Sequence, residues 1–278
     1  MSTLPGSMTT SSLRKALRLA SLAICILSGR AAFAQQVPPA MYSWDVGTPS
    51  PTMMNNDTGY CWLAGLYANF NNTNDYDYVN LTFDSTGNWI FTGLSPDGPA
   101  GAIALCQPWS SLTYSPGQPI HDQEFFGLDT GGFINAPVES MCGIEGIGGV
   151  LYGGSWMGSV STGSEDNDPG LPNGTVNIYG GRTSGIIWGQ CANFGSSQTQ
   201  LHPTLITVTT GQSLNLGSSL TQMCVLDSVN KETASDEDPN NALSIWLWVD
   251  QDNNYELSAD NVGIFGSVTA ACIPIQQP

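Results

Sequence analysis

The chain has 278 residues, with six lysines and arginines against 23 aspartates and glutamates, a formal net charge of −17. A surface of that sign repels phosphate and anionic headgroups, which excludes nucleic acid and anionic membrane as partners. Its 32 glycines and 17 prolines break the chain repeatedly, and no long helical pattern follows residue 34.

Residues 1–34 read as a secretory signal peptide. Arg14, Lys15 and Arg18 form a basic leader, Leu19 to Gly29 an apolar run, and Ala32-Phe33-Ala34 a small-x-small cleavage site before Gln35. Eleven apolar residues are too few to span a bilayer as a helix. A lipoprotein reading at Cys25 is set aside, because Ile24 stands where a small residue is needed. Cleavage removes Arg14, Lys15, Arg18 and Arg30, leaving Arg182 and Lys231 against all 23 acids, a charge of −21.

Six cysteines remain after Cys25 is removed, the even number that a disulfide framework in an oxidising compartment requires. They stand at 61, 106, 142, 191, 224 and 272, with gaps of 45, 49 and 48 inside successive pairs. Successive openings are 81 and 82 residues apart. Six cysteines allow fifteen pairings, and the period selects Cys61–Cys106, Cys142–Cys191 and Cys224–Cys272. The openings read "CWLAGL", "CGIEGI" and "CVLDSV", with apolar residues at Leu63, Ile144 and Leu226 and again at Leu66, Ile147 and Val229. The closings read "GAIALC", "GIIWGQC" and "GSVTAAC". Ser228 departs from Gly65 and Gly146 at the matching position.

Between the cysteines the local pattern is β. "VNLTF" (79–83) alternates apolar and polar residues, "DSTGN" (84–88) turns, and "WIFTG" returns. The third copy repeats this as "LSIWLWV" (243–249), "DQDNN" (250–254) and "YELSA"; in the second, the turn lengthens to 164–174. The expected fold is all-β, three tandem modules of about 80 residues, each closed by a disulfide. Module 1 covers 35–110, module 2 with its leading linker 111–195, and module 3 with its linker 196–278. Short linkers (107–123 and 192–203) and the absence of charged spacers favour modules packed against one another over separate beads.

The pattern C-x-L-x-G-[ILV]-x-x-x-F, an aromatic return strand and a closing G-x-[IV]-x-[AL]-x-C resemble tandem disulfide-closed β-modules of exported and surface bacterial proteins, adhesin-like proteins among them. The resemblance is best in "CWLAGLYANF…WIFTG…GAIALC". It implies a recognition role at a cell surface and carries over no catalytic residue.

Motifs of catalysis are absent: no G-x-S-x-G, H-E-x-x-H, P-loop, dinucleotide fingerprint or Cys-x-x-Cys occurs. His121 and His202 both lie in linkers, 21 and 22 residues before an opening cysteine, which suits a structural role. Paired carboxylates for glycoside hydrolysis stay open, against solvated turn residues. Asp250, Asp252 and Asn254 alternate along a turn as calcium ligands do, although a charged hairpin tip has the same composition. Further acidic clusters stand at 165–168 and 235–241.

Trp246 and Trp248 share one side of their strand, opposite Leu243, Ile245, Leu247 and Val249. Such a face needs covering, by a neighbouring module or by a ligand. The expectation is a secreted, non-enzymatic recognition protein binding an extracellular glycan or protein. A carbohydrate-active enzyme using paired carboxylates, or a structural coat or matrix component, are the alternatives.

Overall fold

A computed structural model describes residues 37–68, 77–95, 99–108, 119–126, 130–134, 140–149, 156–162, 174–179, 185–193, 203–231, 243–262 and 266–275. At 119–126, 130–134 and 174–179 only the backbone is described. The signal segment 1–34, His202 and the acidic clusters at 165–168 and 235–241 lie outside these residues.

The described chain is all-β. From residue 40 to 108 run β1 (Ala40–Asp45), β2 (Gly59–Ala68), β3 (Tyr78–Phe83), β4 (Trp89–Leu94) and β5 (Ala100–Pro108). Next come β6 (Pro119–Phe126), β7 (Thr130–Ile134), β8 (Ser140–Gly149), β9 (Trp156–Thr162), β10 (Gly174–Tyr179) and β11 (Gly185–Asn193). The last are β12 (Thr204–Thr209), β13 (Gln212–Ser218), β14 (Gln222–Lys231), β15 (Leu243–Val249), β16 (Asn254–Asn261) and β17 (Ser267–Pro274). The expected hairpins are β3–β4, β9–β10 and β15–β16. The segment 107–123, expected as a linker, instead contributes the end of β5 and the start of β6, where His121 stands opposite Gln190.

The three disulfides are Cys61–Cys106, Cys142–Cys191 and Cys224–Cys272, each joining directly opposed residues of neighbouring antiparallel strands. Three residues past each opening cysteine the register slips by one, so Ala64, Glu145 and Asp227 are bulge residues. A bulge explains why apolar residues recur three apart, at 63 and 66, in a strand whose side-chain period is two.

Strand order shows how the segments combine. One sheet runs β1-β5-β2-β15-β16-β13, a second β12-β17-β14-β9-β10-β7, and a third β4-β3-β8-β11-β6. Each sheet takes a disulfide-joined trio from one segment and a hairpin from another. The first segment's hairpin adds to β8, the second's to β14, and the third's to β2, which closes a cycle. The boundaries near 110 and 195 therefore do not separate the sheets, and an arrangement as beads is excluded. The reason is hydrogen bonding: a free edge on each trio is satisfied by a neighbour's hairpin.

Strands β2, β8 and β14 also touch one another. There Gln190 Nε2–H donates to the Cys61 carbonyl at 3.0 Å. A Cβ on Gly143 would lie 2.9 Å from the Val225 Cβ, so β8 and β14 approach closely only because residue 143 is glycine. Around this junction Tyr60, Trp62, Leu63, Leu66, Ile144, Ile147, Leu226 and Val229 are fully buried in one continuous core.

A candidate recognition face on the first sheet

Along β15, Leu243, Ile245 and Leu247 point into the core, and Ser244, Trp246 and Trp248 emerge half-buried on the other side. The alternation along the strand is sufficient to separate these two sides. What it could not supply was the neighbour. Strand β15 pairs with β2, placing Trp246 opposite Gly65. A Cβ at Gly65 would sit 2.6 Å from Trp246 Cε3, so the indole lies across the bare backbone of the next strand.

A second ring repeats the arrangement one strand further on. A Cβ at Gly101, on β5, would meet Tyr67 Cε1 at 2.5 Å. The Tyr67 and Trp246 ring centres are 6.0 Å apart, with planes inclined by 42°. Trp248 stands on the same side as Trp246, about 7 Å along the strand at 3.3–3.4 Å per residue. Three aromatic rings thus share the outer face of a sheet built from the first and third segments.

The ring tips are tethered to carboxylates. Tyr67 Oη–H donates to Asp45 Oδ1 on β1, and Trp246 Nε1–H donates to Asp260 Oδ2 on β16 at 2.9 Å. Ser258 Oγ–H donates to the other oxygen of Asp260. Glu256, opposite Trp248, accepts from Asn215 Nδ2 at 2.8 Å across β13. The hydrogen bond to Asp45, then partial burial and that carboxylate's charge, push the Tyr67 phenol up to about 12. Tyr67 therefore remains a neutral donor throughout the physiological range.

Asp250, Asp252 and Asn254 fall in the β15–β16 turn. Asp250 Oδ1 accepts the backbone N–H groups of Asp252 and Asn254, both at 2.8 Å, and Asn253 takes φ of 61°. The β3–β4 turn is built identically: Asp84 Oδ1 accepts from Thr86 N at 2.8 Å and Asn88 N at 3.0 Å, with Gly87 at φ 82°. These bonds hold both aspartates below the usual carboxylate range, Asp84 at about 2. Asp250 thus fastens its own loop, as Asn and Asp side chains do in turns. Among the described residues no cluster of three or more His, Cys, Asp or Glu could hold a metal ion.

Other acids are interior. Glu145 and Asp227 occupy matching bulges, and both are buried and engaged by neighbours. Burial, and then the charge of Glu145, push the Tyr60 phenol well above its ordinary range. The outer face of the third sheet differs from the first: Tyr78 and Trp188 pack at 5.6 Å, and Asn80 stands over Gly146 where Trp246 stands over Gly65. On the second sheet the corresponding residues are Ser159 and Ser228.

No family model, no curated protein and no solved structure matches this chain.

Proposed function

We propose that the chain is an exported recognition protein of the cell surface or extracellular matrix, without catalytic activity, and that it binds a glycan through the outer face of its first sheet. The observation that carries this reading is the set of three rings, Tyr67, Trp246 and Trp248, held on one sheet face and flanked by oriented carboxylates. Aromatic faces stack on the apolar faces of sugar rings, and acceptor groups beside them take up sugar hydroxyls. At the position of Trp246 the other two sheets carry Asn80 and Ser159, and the third sheet's outer face holds the pair Tyr78 and Trp188 in place of a three-ring set, which supports a task specific to this face. The reading takes the three cysteine-paired segments as copies of one unit, with the fold kept in common and the face diversified. It takes residues 1–34 as the export signal, and three disulfides are in keeping with an oxidising compartment.

The test is a glycan array probed with residues 35–278, in calcium and in chelator, beside a Trp246→Ala/Trp248→Ala variant. Selective binding that falls by about thirtyfold in the variant is expected, the loss typical of a central tryptophan worth about 2 kcal/mol. Binding should survive the chelator, since Asp250 is committed to its turn. No binding by correctly disulfide-bonded protein would sink the glycan reading and leave a protein ligand or a structural coat.

A further inference from the structure

Resting on that recognition reading, we propose that the ligand is a cationic amino-sugar chain, its rings laid on Tyr67, Trp246 and Trp248 and its ammonium groups set against Asp45, Glu256 and Asp260.

Shape comes first. Small molecules are held in concave pockets that enclose most of their surface. This face is instead an open sheet crossed by side chains from five strands: Asp45 on β1, Tyr67 on β2, the tryptophans on β15, Glu256 and Asp260 on β16, and Asn215 on β13. An extended polymer that lies along a surface fits such a platform. The rings are also preorganised. Tyr67 and Trp246 each press on a glycine and are tied at the tip, Tyr67 to Asp45 and the Trp246 Nε1–H to both Asp260 and Ser244, so little rotamer freedom is left to lose on binding.

Charge then selects the class of sugar. Lys231 is the single lysine or arginine among the described residues, and it is 2% exposed on β14 of the second sheet. No described basic side chain balances Asp45, Glu256 and Asp260. Asp45 and Asp260 are exposed and Glu256 is half-buried. An ionised carboxylate offers about four acceptor positions. Among the described residues, donors take one position on Asp45, one on Glu256 and two on Asp260, which leaves acceptor capacity on each. An ammonium group gains from these and from the ring faces, which attract cations through their quadrupole. A sulfated or carboxylated glycan meets repulsion from the face and from a mature chain of charge −21.

The experiment titrates residues 35–278 with a fully deacetylated glucosamine oligomer, its N-acetylated counterpart of equal length, and a lysine oligomer. The deacetylated oligomer should bind at least tenfold more tightly than the acetylated one. An Asp45→Asn/Glu256→Gln/Asp260→Asn variant, which keeps shape and acceptor oxygens, should erase that preference, as should high salt. If the triple variant does not fold, Asp45→Asn alone, on an edge strand, should cut the preference by about two- to threefold, the weight of one exposed charge pair. Equal affinity for the two sugars would overturn the amino-sugar assignment and leave glycan recognition standing. Equally tight binding of the lysine oligomer, insensitive to Trp246→Ala, would overturn it in favour of a basic protein partner. Binding of none of the three would overturn this assignment, and an empty glycan array as well would remove the recognition reading beneath it.

Discussion

Gly65 and Gly101 do their work by what they omit. Each leaves bare backbone on which an aromatic ring of the neighbouring strand can lie, and a methyl group at either would occupy the ring's space. At Gly65 the Cβ would also stand 3.0 Å from the Ile245 carbonyl. Gly65→Ala should therefore lift the indole of Trp246 and cost about 1–3 kcal/mol as an overpacking substitution. Urea unfolding and the near-ultraviolet circular dichroism of the tryptophans would register both effects. The turn aspartates make a different prediction. Asp84 titrates at about 2 in the folded chain, held down by Thr86 and Asn88, and at about 3.9 when unfolded. A depressed folded value gives stability that is present above pH 4 and lost as pH falls toward 2. The melting-temperature gap between the native chain and Asp84→Ala should accordingly be full at pH 5 and shrink by pH 2. A gap independent of pH would show that the carboxylate does not fasten the turn through its charge.

At the level of elements, how far the sequence could be read depended on range. The turns at 84–88 and 250–254 were legible, because the aspartate, the left-handed residue and the flanking alternation are all local. The cysteine pairing was legible from the period, which needs no knowledge of the fold. The bulges were written in the three-residue spacing of Leu63 and Leu66, Ile144 and Ile147, and Leu226 and Val229, a signal that shows only once the strand is known. Strand β12 carried a usable alternation too, with Val208 inward and Thr207 and Thr209 outward. The choice of partner strand was not legible, since a hairpin's own residues are the same whichever edge receives it. Nor was Tyr67, whose glycine and carboxylate partners come from other strands. Each disulfide fastens the strand that receives a neighbour's hairpin (β2, β8 or β14) to the strand beside it in its own segment. Removing one, as in Cys61→Ser/Cys106→Ser, should cost about 3–4 kcal/mol by chain entropy for a loop of 45 residues. The denaturation midpoint under non-reducing conditions would measure it. The loss should come with weaker ligand binding, because β2 carries Tyr67 and receives β15.

For the whole molecule, cyclic exchange of hairpins means that no segment completes its own sheet. Residues 35–110 expressed alone would leave β2 without β15 and the β3–β4 hairpin without β8. That piece should stay unfolded by circular dichroism and amide dispersion, and a folded monomer would contradict the shared-sheet architecture. The same exchange assembles the proposed recognition face: Tyr67 comes from the first segment and the tryptophans from the third, so the platform exists only in the assembled chain. The most direct measurement is intrinsic tryptophan fluorescence of residues 35–278 titrated with the glycans retained on the array, repeated with Trp246→Ala/Trp248→Ala. A saturable change in the native chain, absent from a variant whose circular dichroism is unaltered, is the predicted result. Undiminished affinity in that folded variant would contradict it and place recognition elsewhere on the molecule.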